Sequence, residues 1–408
     1  RWRFQKKETE MATTEQWKEL ESKYYMFLVR RQPMVLERGE GARVWDVDGK
    51  EYLDFTSGWA VNNVGHCNEA VADAIAKQAR TLLQTSNQFY SIPQLKMAEI
   101  LVENSCLDKI FICNSGAEAN EGAIKLAKKY GKKNKDGAFG IITALNSFHG
   151  RTMMNVSATG QPHYQELFEP IPTGFTHVPF NDLDAIKSAT NENTVAVMLE
   201  PVQGEGGVNI PDAEYLPGVR TWCDQNNILL IFDEVQTGLG RLGTLFGYQN
   251  FEVEPDIITL AKGLGGGVPI GAFMAKDSAC AFDPGDHGST FGGNPLTCAA
   301  AHASTKYLID NNVSENAAKM GEYLGEGLRK IQANHEFITD VRGMGLLWAV
   351  EFDSDITPEV IAACNESGLL MNPMRPNTIR LMPVLTITTA EIDEALDRLE
   401  EGLKNATS

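Results

Sequence analysis

The sequence is poor in basic residues and has no long apolar run. Lysine and arginine number 36 against 54 aspartates and glutamates, which gives a formal net charge of −18. This balance argues against nucleic-acid binding, because a phosphate backbone requires clustered cations. No apolar stretch reaches the length that crosses a membrane. We therefore expect a cytoplasmic protein with small-molecule ligands and neither a nucleic-acid nor a membrane partner.

The sequence also lacks any Cys-x-x-Cys pair. Its seven cysteines are odd in number, which favours free thiols in a reducing compartment, and without zinc-ligand spacing no metal is expected. The 408 residues are enough for two or three domains. Residues 1–10 precede Met11 and run from basic to acidic. We predict that they are a non-native or disordered extension.

Short apolar runs alternate with helix-like sequence through the middle of the chain. Uniformly apolar runs suit a parallel sheet that is covered on both faces, and their alternation with helices predicts an α/β fold. In such folds ligands collect at the carboxyl ends of the strands. We predict that this large domain spans residues 61–305. The runs are 110–113, 139–143, 195–199, 228–232 and 257–260.

The two ends of the chain predict a smaller α+β domain. Asp48-Gly49 is a hairpin-turn sequence between two alternating segments,. Residues 346–352 and 378–382 have the composition of strands, and a helical pattern follows them,. No linker of disordered composition separates these parts from the middle. The predicted pieces of this domain are residues 11–60 and 306–408.

Two residues at successive strand ends predict a pyridine cofactor. Lys262 lies between the run 257–260 and Gly265-Gly-Gly, while Asp233 follows the run 228–232. A lysine amine can condense with an aldehyde, and a carboxylate can keep a ring nitrogen protonated. Most lysines are solvated and an acid at a strand end often caps a helix, but this apolar setting is unusual for a surface lysine. The pair indicates pyridoxal 5'-phosphate.

The segment from Asn114 to Glu118 predicts a phosphate site. It follows a strand and opens a helix, where the N–H groups of Gly116 and Ala117 could approach an anion,. Ser115 and Glu118 would form a capping box whatever binds nearby. Because a strand precedes the segment and a candidate lysine lies elsewhere in the chain, we favour phosphate.

Other side chains near strand ends could complete the site. Phe148 could stack on a ring, although a lone phenylalanine usually packs in the core. Arg151 could hold a carboxylate through two hydrogen bonds, or it could be a surface arginine. Val235 could pack against the ring face opposite Phe148, and Gln236 could bond a phenolic oxygen. The hydroxyls that could contact phosphate or substrate belong to Ser289 and Thr290.

Six motifs follow one another in a distinctive order. They are Ser115-Gly-Ala-Glu-Ala-Asn, Phe148-His-Gly-Arg-Thr, Glu200-Pro-Val-Gln-Gly-Glu-Gly-Gly, Asp233-Glu-Val-Gln-Thr-Gly-Leu-Gly-Arg, Ala261-Lys-Gly-Leu-Gly-Gly-Gly and His287-Gly-Ser-Thr-Phe-Gly-Gly-Asn. Together they resemble the class III pyridoxal-phosphate-dependent aminotransferases, from about Met34 to near the C-terminus. The resemblance implies PLP fold type I. This fold has a mainly parallel seven-stranded sheet between helices, a smaller α+β domain, and a homodimer with shared active sites.

The resemblance also implies a role for each candidate residue. Lys262 and Asp233 are the implied catalytic residues. The implied cofactor-binding residues are Ser115, Gly116, Ala117, Phe148, His149, Asp233, Val235, Gln236, Lys262 and, from the neighbouring subunit, Thr290. The implied substrate-binding residues are Arg151, Glu205, Ser289, Arg380, Gly58 and Trp59.

Glu205 and Arg380 match a pair that lets one site take two substrates. A donor that transfers its distal amine has no carboxylate beside the reacting carbon. Arg380 would then be a buried charge without a partner, which costs free energy, and the resemblance implies that Glu205 neutralises it. The resemblance implies that Glu205 swings away when 2-oxoglutarate enters and that Arg380 then binds the carboxylate next to the keto group. It also implies that Arg151 binds the far carboxylate in both half-reactions.

Gly58 and Trp59 bear on the identity of the donor. Gly58 stands where ornithine-specific members carry a tyrosine, which leaves room for an N-acyl group. Trp59 replaces the small aliphatic residue expected in members that use N-acetylornithine. Within the family the resemblance still favours N2-acetyl-L-ornithine and 2-oxoglutarate, giving N-acetyl-L-glutamate 5-semialdehyde and L-glutamate in arginine biosynthesis. The alternative donors are succinylornithine, succinyldiaminopimelate, ornithine, 4-aminobutyrate or a broad range of amines. The alternative functions are those of an aminomutase and of a non-catalytic binding protein.

Overall fold

A computed structural model describes residues 13–407, and the predicted extension over residues 1–10 lies outside the described residues. The helices are α1 (Thr14–Tyr24), α2 (Ser57–Ala60), α3 (Glu69–Ala79), α4 (Ile92–Glu103), α5 (Gly116–Asn134), α6 (Met153–Ala158), α7 (Pro162–Gln165), α8 (Leu183–Ala189), α9 (Tyr215–Gln225), α10 (Pro295–Asp310), α11 (Val313–Asn334), α12 (Thr357–Glu366) and α13 (Thr389–Ala406). The strands are β1 (Leu36–Glu40), β2 (Arg43–Asp46), β3 (Glu51–Asp54), β4 (Lys109–Cys113), β5 (Gly140–Ala144), β6 (Phe175–Val178), β7 (Thr194–Leu199), β8 (Leu229–Asp233), β9 (Ile257–Leu260), β10 (Gly271–Ala275), β11 (Ile338–Met344), β12 (Leu347–Phe352), β13 (Leu369–Leu370), β14 (Asn372–Arg375) and β15 (Thr378–Leu381).

The largest sheet has seven strands in the order β4-β10-β9-β8-β7-β5-β6. β10 is antiparallel to both of its neighbours, and the other pairs are parallel. All five apolar runs of the sequence are strands of this sheet, and the predicted α/β fold is confirmed. The sequence did not indicate β6, which contains Thr176 and His177, or β10, which lies close to a glycine-rich stretch.

Two four-stranded sheets are built from the ends of the chain. One has the order β11-β12-β15-β14, and the other has the order β1-β2-β3-β13. In the second sheet Leu369 and Leu370 of β13 pair in parallel with Leu53 and Asp54 of β3. A strand from the C-terminal part therefore completes a sheet from the N-terminal part. The exact domain boundaries stay a prediction.

The three central strands β7, β8 and β9 of the large sheet are fully buried. Every residue of β7, β8 and β9 is buried, as expected for strands covered by helices on both faces. These strands end at Leu199, Asp233 and Leu260, so the segments that follow them lie at one edge of the sheet. No helix among the described residues is long and apolar enough to span a membrane.

Helix α5 packs on the sheet at a distance that only glycine permits. A Cβ atom at Gly131 would lie 1.9 Å from the carbonyl oxygen of Ala138 and 2.9 Å from Val195 of β7. The neighbouring oxygen belongs to the backbone and cannot turn aside. The position of α5, whose first residue is Gly116, therefore depends on this contact.

We expect Gly131→Ala to destabilise the protein by about 1–3 kcal/mol through overpacking. Helix propensity alone would give the opposite sign, because alanine is favoured over glycine by about 1 kcal/mol. Thermal unfolding of the purified variant measures the effect. Gly288→Ala is the matched control, since no atom lies within 4 Å of a Cβ built at Gly288. Equal midpoints for the two variants would contradict the prediction.

Candidate active site

A cavity of about 450 Å³ opens at the carboxyl ends of β7, β8 and β9. It collects side chains from distant segments of the sequence, as expected for an α/β sheet. Eleven of the residues singled out in the sequence line it. They are Ser115, Gly116, Ala117, Phe148, His149, Arg151, Glu205, Asp233, Val235, Gln236 and Lys262.

The N-terminus of α5 forms part of the cavity wall. The Ser115 side chain caps the helix by accepting a hydrogen bond from the Glu118 N–H. Gly116 and Ala117 follow it and line the cavity, and the first N–H groups of a helix have no partner within the helix. A Cβ at Gly116 would lie 2.9 Å from Val235. Glycine thus lets α5 approach the segment after β8.

Asp233 is buried at the end of β8 and accepts several hydrogen bonds. Its Oδ2 atom lies 2.8 Å from His149 Nδ1 and accepts a 2.8 Å bond from the Asn120 side chain. Its Oδ1 atom accepts bonds from the Val235 N–H at 3.0 Å and the Thr259 hydroxyl at 3.3 Å. The carboxylate is therefore held rigidly at the cavity wall, where it can receive a proton-bearing ring nitrogen.

Lys262 lies two residues after the end of β9 and lines the cavity. Burial lowers the pKa of Lys262 below its ordinary value, and the nearby Glu205 carboxylate raises it in part. The distance from Lys262 Nζ to Glu205 Oε1 is 3.9 Å. A lowered pKa increases the neutral fraction of the amine, which is the form that attacks an aldehyde.

Glu205, Arg380 and Gln236 form one hydrogen-bonded cluster. Arg380 is buried, and its NH1 atom lies 3.0 Å from Glu205 Oε1 and donates to Gln236 Oε1 at 3.2 Å. The Gln236 amide in turn donates to Glu205 Oε1 at 3.1 Å. Burial alone would raise the pKa of Glu205, but the charges of Arg380 and Lys262 outweigh it and lower the pKa to about 2.

The donor set fits a phosphorylated pyridine aldehyde. The helix N-terminus suits the phosphate, the buried carboxylate of Asp233 suits a protonated ring nitrogen, and Lys262 suits the aldehyde. Phe148 and Val235 add apolar surface to the walls.

Comparison with known proteins identifies the family. The family model for class-III aminotransferases matches residues 26–403. The chain belongs to the class-III aminotransferases. Acetylornithine aminotransferase of Caldanaerobacter subterraneus is 49% identical over 384 residues, covering 94% of this chain and 98% of the relative. The enzyme of the same name from Methanocaldococcus jannaschii is 48% identical, covering 95% and 98%.

A solved structure supports the same assignment. Ornithine aminotransferase from Toxoplasma gondii superposes with a TM-score of 0.94 at 35% identity, over 97% of this chain and 95% of that one. That structure is described as having partial occupancy of PLP at its active site. Pyridoxal 5'-phosphate is the cofactor of this class-III aminotransferase, in agreement with the donor set of the cavity.

Arg151 of the aminotransferase is held at the cavity wall by two aromatic rings. Its guanidinium carbon lies 3.9 Å from the ring centroid of Tyr164 and 5.3 Å from that of Phe148. Arg151 is exposed in the protomer, so its five N–H groups can still reach a carboxylate. The sequence did not indicate Tyr164, because nothing in its local pattern separates it from a surface tyrosine.

Five predicted residues do not line the cavity within the single protomer, namely Ser289, Thr290, Gly58, Trp59 and Arg380. Ser289 is adjacent to it, because its hydroxyl accepts a 3.0 Å bond from the Asn114 side chain. Thr290 is exposed, as are Gly58 and Trp59. Arg380 reaches the cavity only through Glu205, 3.0 Å from its NH1 atom. The roles of all five stay predictions.

Two cavity residues of the aminotransferase were missed as site residues. Asn120 bonds both Asp233 and, at 2.7 Å, the carbonyl of His149. Glu200 is buried and accepts bonds from the N–H groups of Phe148 at 3.1 Å and Gly204 at 3.2 Å. Burial raises the pKa of Glu200 to about 7. A signal existed for Asn120, which lies four residues after Gly116 and so on the same helix face.

Proposed function

We propose that this aminotransferase moves the δ-amino group of N2-acetyl-L-ornithine to 2-oxoglutarate, yielding N-acetyl-L-glutamate 5-semialdehyde and L-glutamate in arginine biosynthesis. The names of the two relatives that are almost half identical to this chain support that donor. The seven free thiols favour a reducing compartment, and we retain the cytoplasm as its location,.

The Glu205–Arg380 pair is the observation that carries the proposal. A ω-amine donor offers hydrogen in place of a carboxylate at the reacting carbon, and Glu205 then compensates the buried Arg380 at 3.0 Å. An α-keto acid brings its own carboxylate, which replaces Glu205 at the arginine. An unpaired buried charge costs several kcal/mol, so one site accepts both classes only with such an exchangeable partner.

Residues of the cavity hold the cofactor in the proposed site. When bound, pyridoxal 5'-phosphate supplies an aldehyde that takes up the amino group and a ring that accepts electrons. The N–H groups of Gly116 and Ala117, with the Ser115 cap, bind the phosphate. Asp233 keeps the proton on the ring nitrogen, and His149 orients Asp233. The walls against the ring are Phe148 and Val235.

Lys262 and Gln236 act at the reacting end of the site. Lys262 holds the cofactor before the donor arrives, and its freed Nζ then takes a proton from the δ-carbon of the donor. The same atom returns a proton to the α-carbon in the second half-reaction. The Gln236 amide lies between Glu205 and Arg380, and we propose that it also bonds the phenolic oxygen.

The attachment and pH dependence of Lys262 can be measured directly. Borohydride reduction should place the label on Lys262, and Lys262→Arg should carry none there.

Because the pKa of Lys262 is lowered, uptake of pyridoxal 5'-phosphate by apoprotein should reach its half-maximal rate below the pKa of about 10.4 of an ordinary lysine. Glu205 raises that pKa, so Glu205→Gln should shift the midpoint to lower pH. Stopped-flow absorbance between about pH 6 and 10 tests this. A shift to higher pH would contradict it.

We expect Glu205→Ala to change the choice of donor. With Arg380 unmasked, the ratio of kcat/KM for glutamate to kcat/KM for N2-acetyl-L-ornithine should rise roughly tenfold, which corresponds to about 1.4 kcal/mol. Steady-state kinetics with each donor measures the ratio. Glu192→Ala, an exposed glutamate outside the cavity, is the control. An unchanged ratio in Glu205→Ala would reject the exchange of partners.

Gly58 and Trp59 stand near the entrance on the short turn α2. Val61, which follows them, lines the cavity, and Trp59 is 56% exposed in the protomer. We propose that Gly58 leaves space for the N-acyl group and that Trp59 contacts it. A panel of acetylated, succinylated and free ornithine, with 4-aminobutyrate, at fixed 2-oxoglutarate decides among donors.

We infer that the enzyme is a homodimer with shared active sites. A group of large apolar residues is strongly exposed, and exposed apolar patches of this kind mark interfaces. The segment that carries Phe89 and Tyr90 is joined to the loop of Ser289 and Thr290. The Gln84 side chain donates a hydrogen bond to the Thr290 carbonyl, and the Asn87 side chain donates one to the Ser289 carbonyl. Thr290 of one protomer would then reach the phosphate in the other. The patch consists of Phe89, Tyr90, Ile92, Leu95 and Phe291.

Charges placed on this patch should separate the protomers. Tyr90→Glu combined with Phe291→Glu should give a monomer in sedimentation velocity and weaken cofactor binding at least tenfold, or about 1.4 kcal/mol. Leu36→Glu, at an exposed leucine on β1 outside the patch, is the control and should remain dimeric. A double variant that stays a dimer would place the interface elsewhere.

A further inference from the structure

The loop that carries Glu205 is closed at its base. It runs from Gln203 to Asn209, whose N–H groups each donate to the other's carbonyl oxygen at 3.1 Å. The Asn209 side chain also donates to the carbonyl of Gly206 at 3.1 Å. This segment, residues 203–209, is called the Glu205 loop below. Its backbone forms a small closed ring with the side chain of Glu205 directed at Arg380.

Three arginines of one sheet bind three backbone carbonyls of the Glu205 loop. Arg380 of β15 donates to the carbonyl of Gly204 at 3.0 Å. Arg342 of β11 donates through Nε to the carbonyl of Gly207 at 2.9 Å. Arg375 of β14 donates to the carbonyl of Gly206. The residues on both sides of Glu205 are therefore held by the sheet β11-β12-β15-β14.

The opposite side of the Glu205 loop is held as well. A Cβ atom at Gly206 would lie 2.3 Å from the carbonyl oxygen of Asn146, so this glycine is pressed against the segment after β5. Gly207 has a φ of +133°, a conformation that favours glycine. Arg342 is itself fixed by Asp340 at 2.7 Å and Glu351 at 2.8 Å.

We propose that Arg342 and Arg375 are positioning residues for the exchange of partners at Arg380. They immobilise the backbone after Glu205, so that the side chain alone turns and its return to Arg380 costs little conformational entropy. The inference rests on the proposed function of Glu205. A freer loop would weaken the Glu205–Arg380 pair, and an incoming α-carboxylate would then compete for Arg380 more successfully.

Kinetics on the dimeric holoenzyme test this role. Arg375→Ala and Arg342→Ala should each raise the ratio of kcat/KM for glutamate to that for the ω-amine donor by roughly threefold, or about 0.7 kcal/mol, mainly by lowering KM for glutamate. Arg375→Lys, which keeps a donor, should restore most of the wild-type ratio. Arg329→Ala is the control, because Arg329 lies over Trp348 of the same sheet, 5.3 Å from its ring centroid.

Combining an arginine variant with Glu205→Ala distinguishes a positioning role of the arginine from a general loosening of the protein. If both arginines act through Glu205, adding Arg375→Ala to Glu205→Ala should leave the ratio unchanged. A further rise in that double variant would overturn the proposal. If Glu205→Ala changes the ratio while neither arginine variant does, only the positioning role is rejected. If Glu205→Ala itself has no effect, the proposed exchange of partners at Glu205 is rejected first, and the positioning role is rejected with it.

Hydrogen exchange gives a readout that does not depend on turnover. The amides of Gly204 and Asn209 donate to Glu200 and to Gln203, and they should exchange at least threefold faster in Arg375→Ala and Arg342→Ala than in wild type or Arg329→Ala. Unchanged exchange would overturn the proposal even if the kinetics shifted. Should Arg342→Ala fail to fold, because Asp340 and Glu351 lose their partner, Arg375→Ala alone still decides.

Discussion

Charge compensation inside the cavity is the constraint on which the rest of the site depends. One oxygen of Glu205 contacts three polar side chains. Its Oε1 atom lies 3.0 Å from Arg380, 3.9 Å from Lys262 and 3.1 Å from the Gln236 amide nitrogen. Ions removed from water cost several kcal/mol each unless they are paired. In the proposed exchange, movement of Glu205 leaves Arg380 without its partner, and the carboxylate of the incoming keto acid restores the charge balance.

A second buried arginine ties other parts of the chain to the large sheet. Arg241, in the segment after β8, is fully buried, and burial lowers the pKa of its guanidinium to about 9. It donates to the carbonyls of Leu346 at 2.9 Å and Pro383 at 2.6 Å, and to the Asn63 side chain at 2.7 Å. These bonds join the segment after β8 to the segment after α2 and to the C-terminal part of the chain. The sheet that presents Arg380 is thus located relative to Asp233 by buried polar contacts.

Much of this arrangement could be predicted from the sequence. The five apolar runs are strands because uniform hydrophobicity suits a doubly covered sheet. Asp233 and Lys262 could be found because each follows such a run. The contacts of Gln236 with Glu205 and Arg380, and of Glu200 with Phe148 and Gly204, could not be found in this way. They join segments far apart in sequence, and local pattern carries no information about which polar groups meet after folding.

The short helix α2, which carries Gly58 and Trp59, is shaped by its backbone conformation. Ser57, Gly58, Trp59 and Ala60 all have φ between +45° and +64°, a conformation that costs an L-residue about 1–2 kcal/mol. Asp54 offsets this cost by accepting bonds from the Thr56 N–H at 2.8 Å, the Thr56 hydroxyl at 2.6 Å and the Ser57 N–H at 3.1 Å. The fold therefore presents Trp59 before any ligand arrives. Under the role proposed for Trp59, a change at this residue alters the contact with the donor and leaves the Glu205–Arg380 pair in place, so that selectivity for the donor varies while the chemistry stays the same.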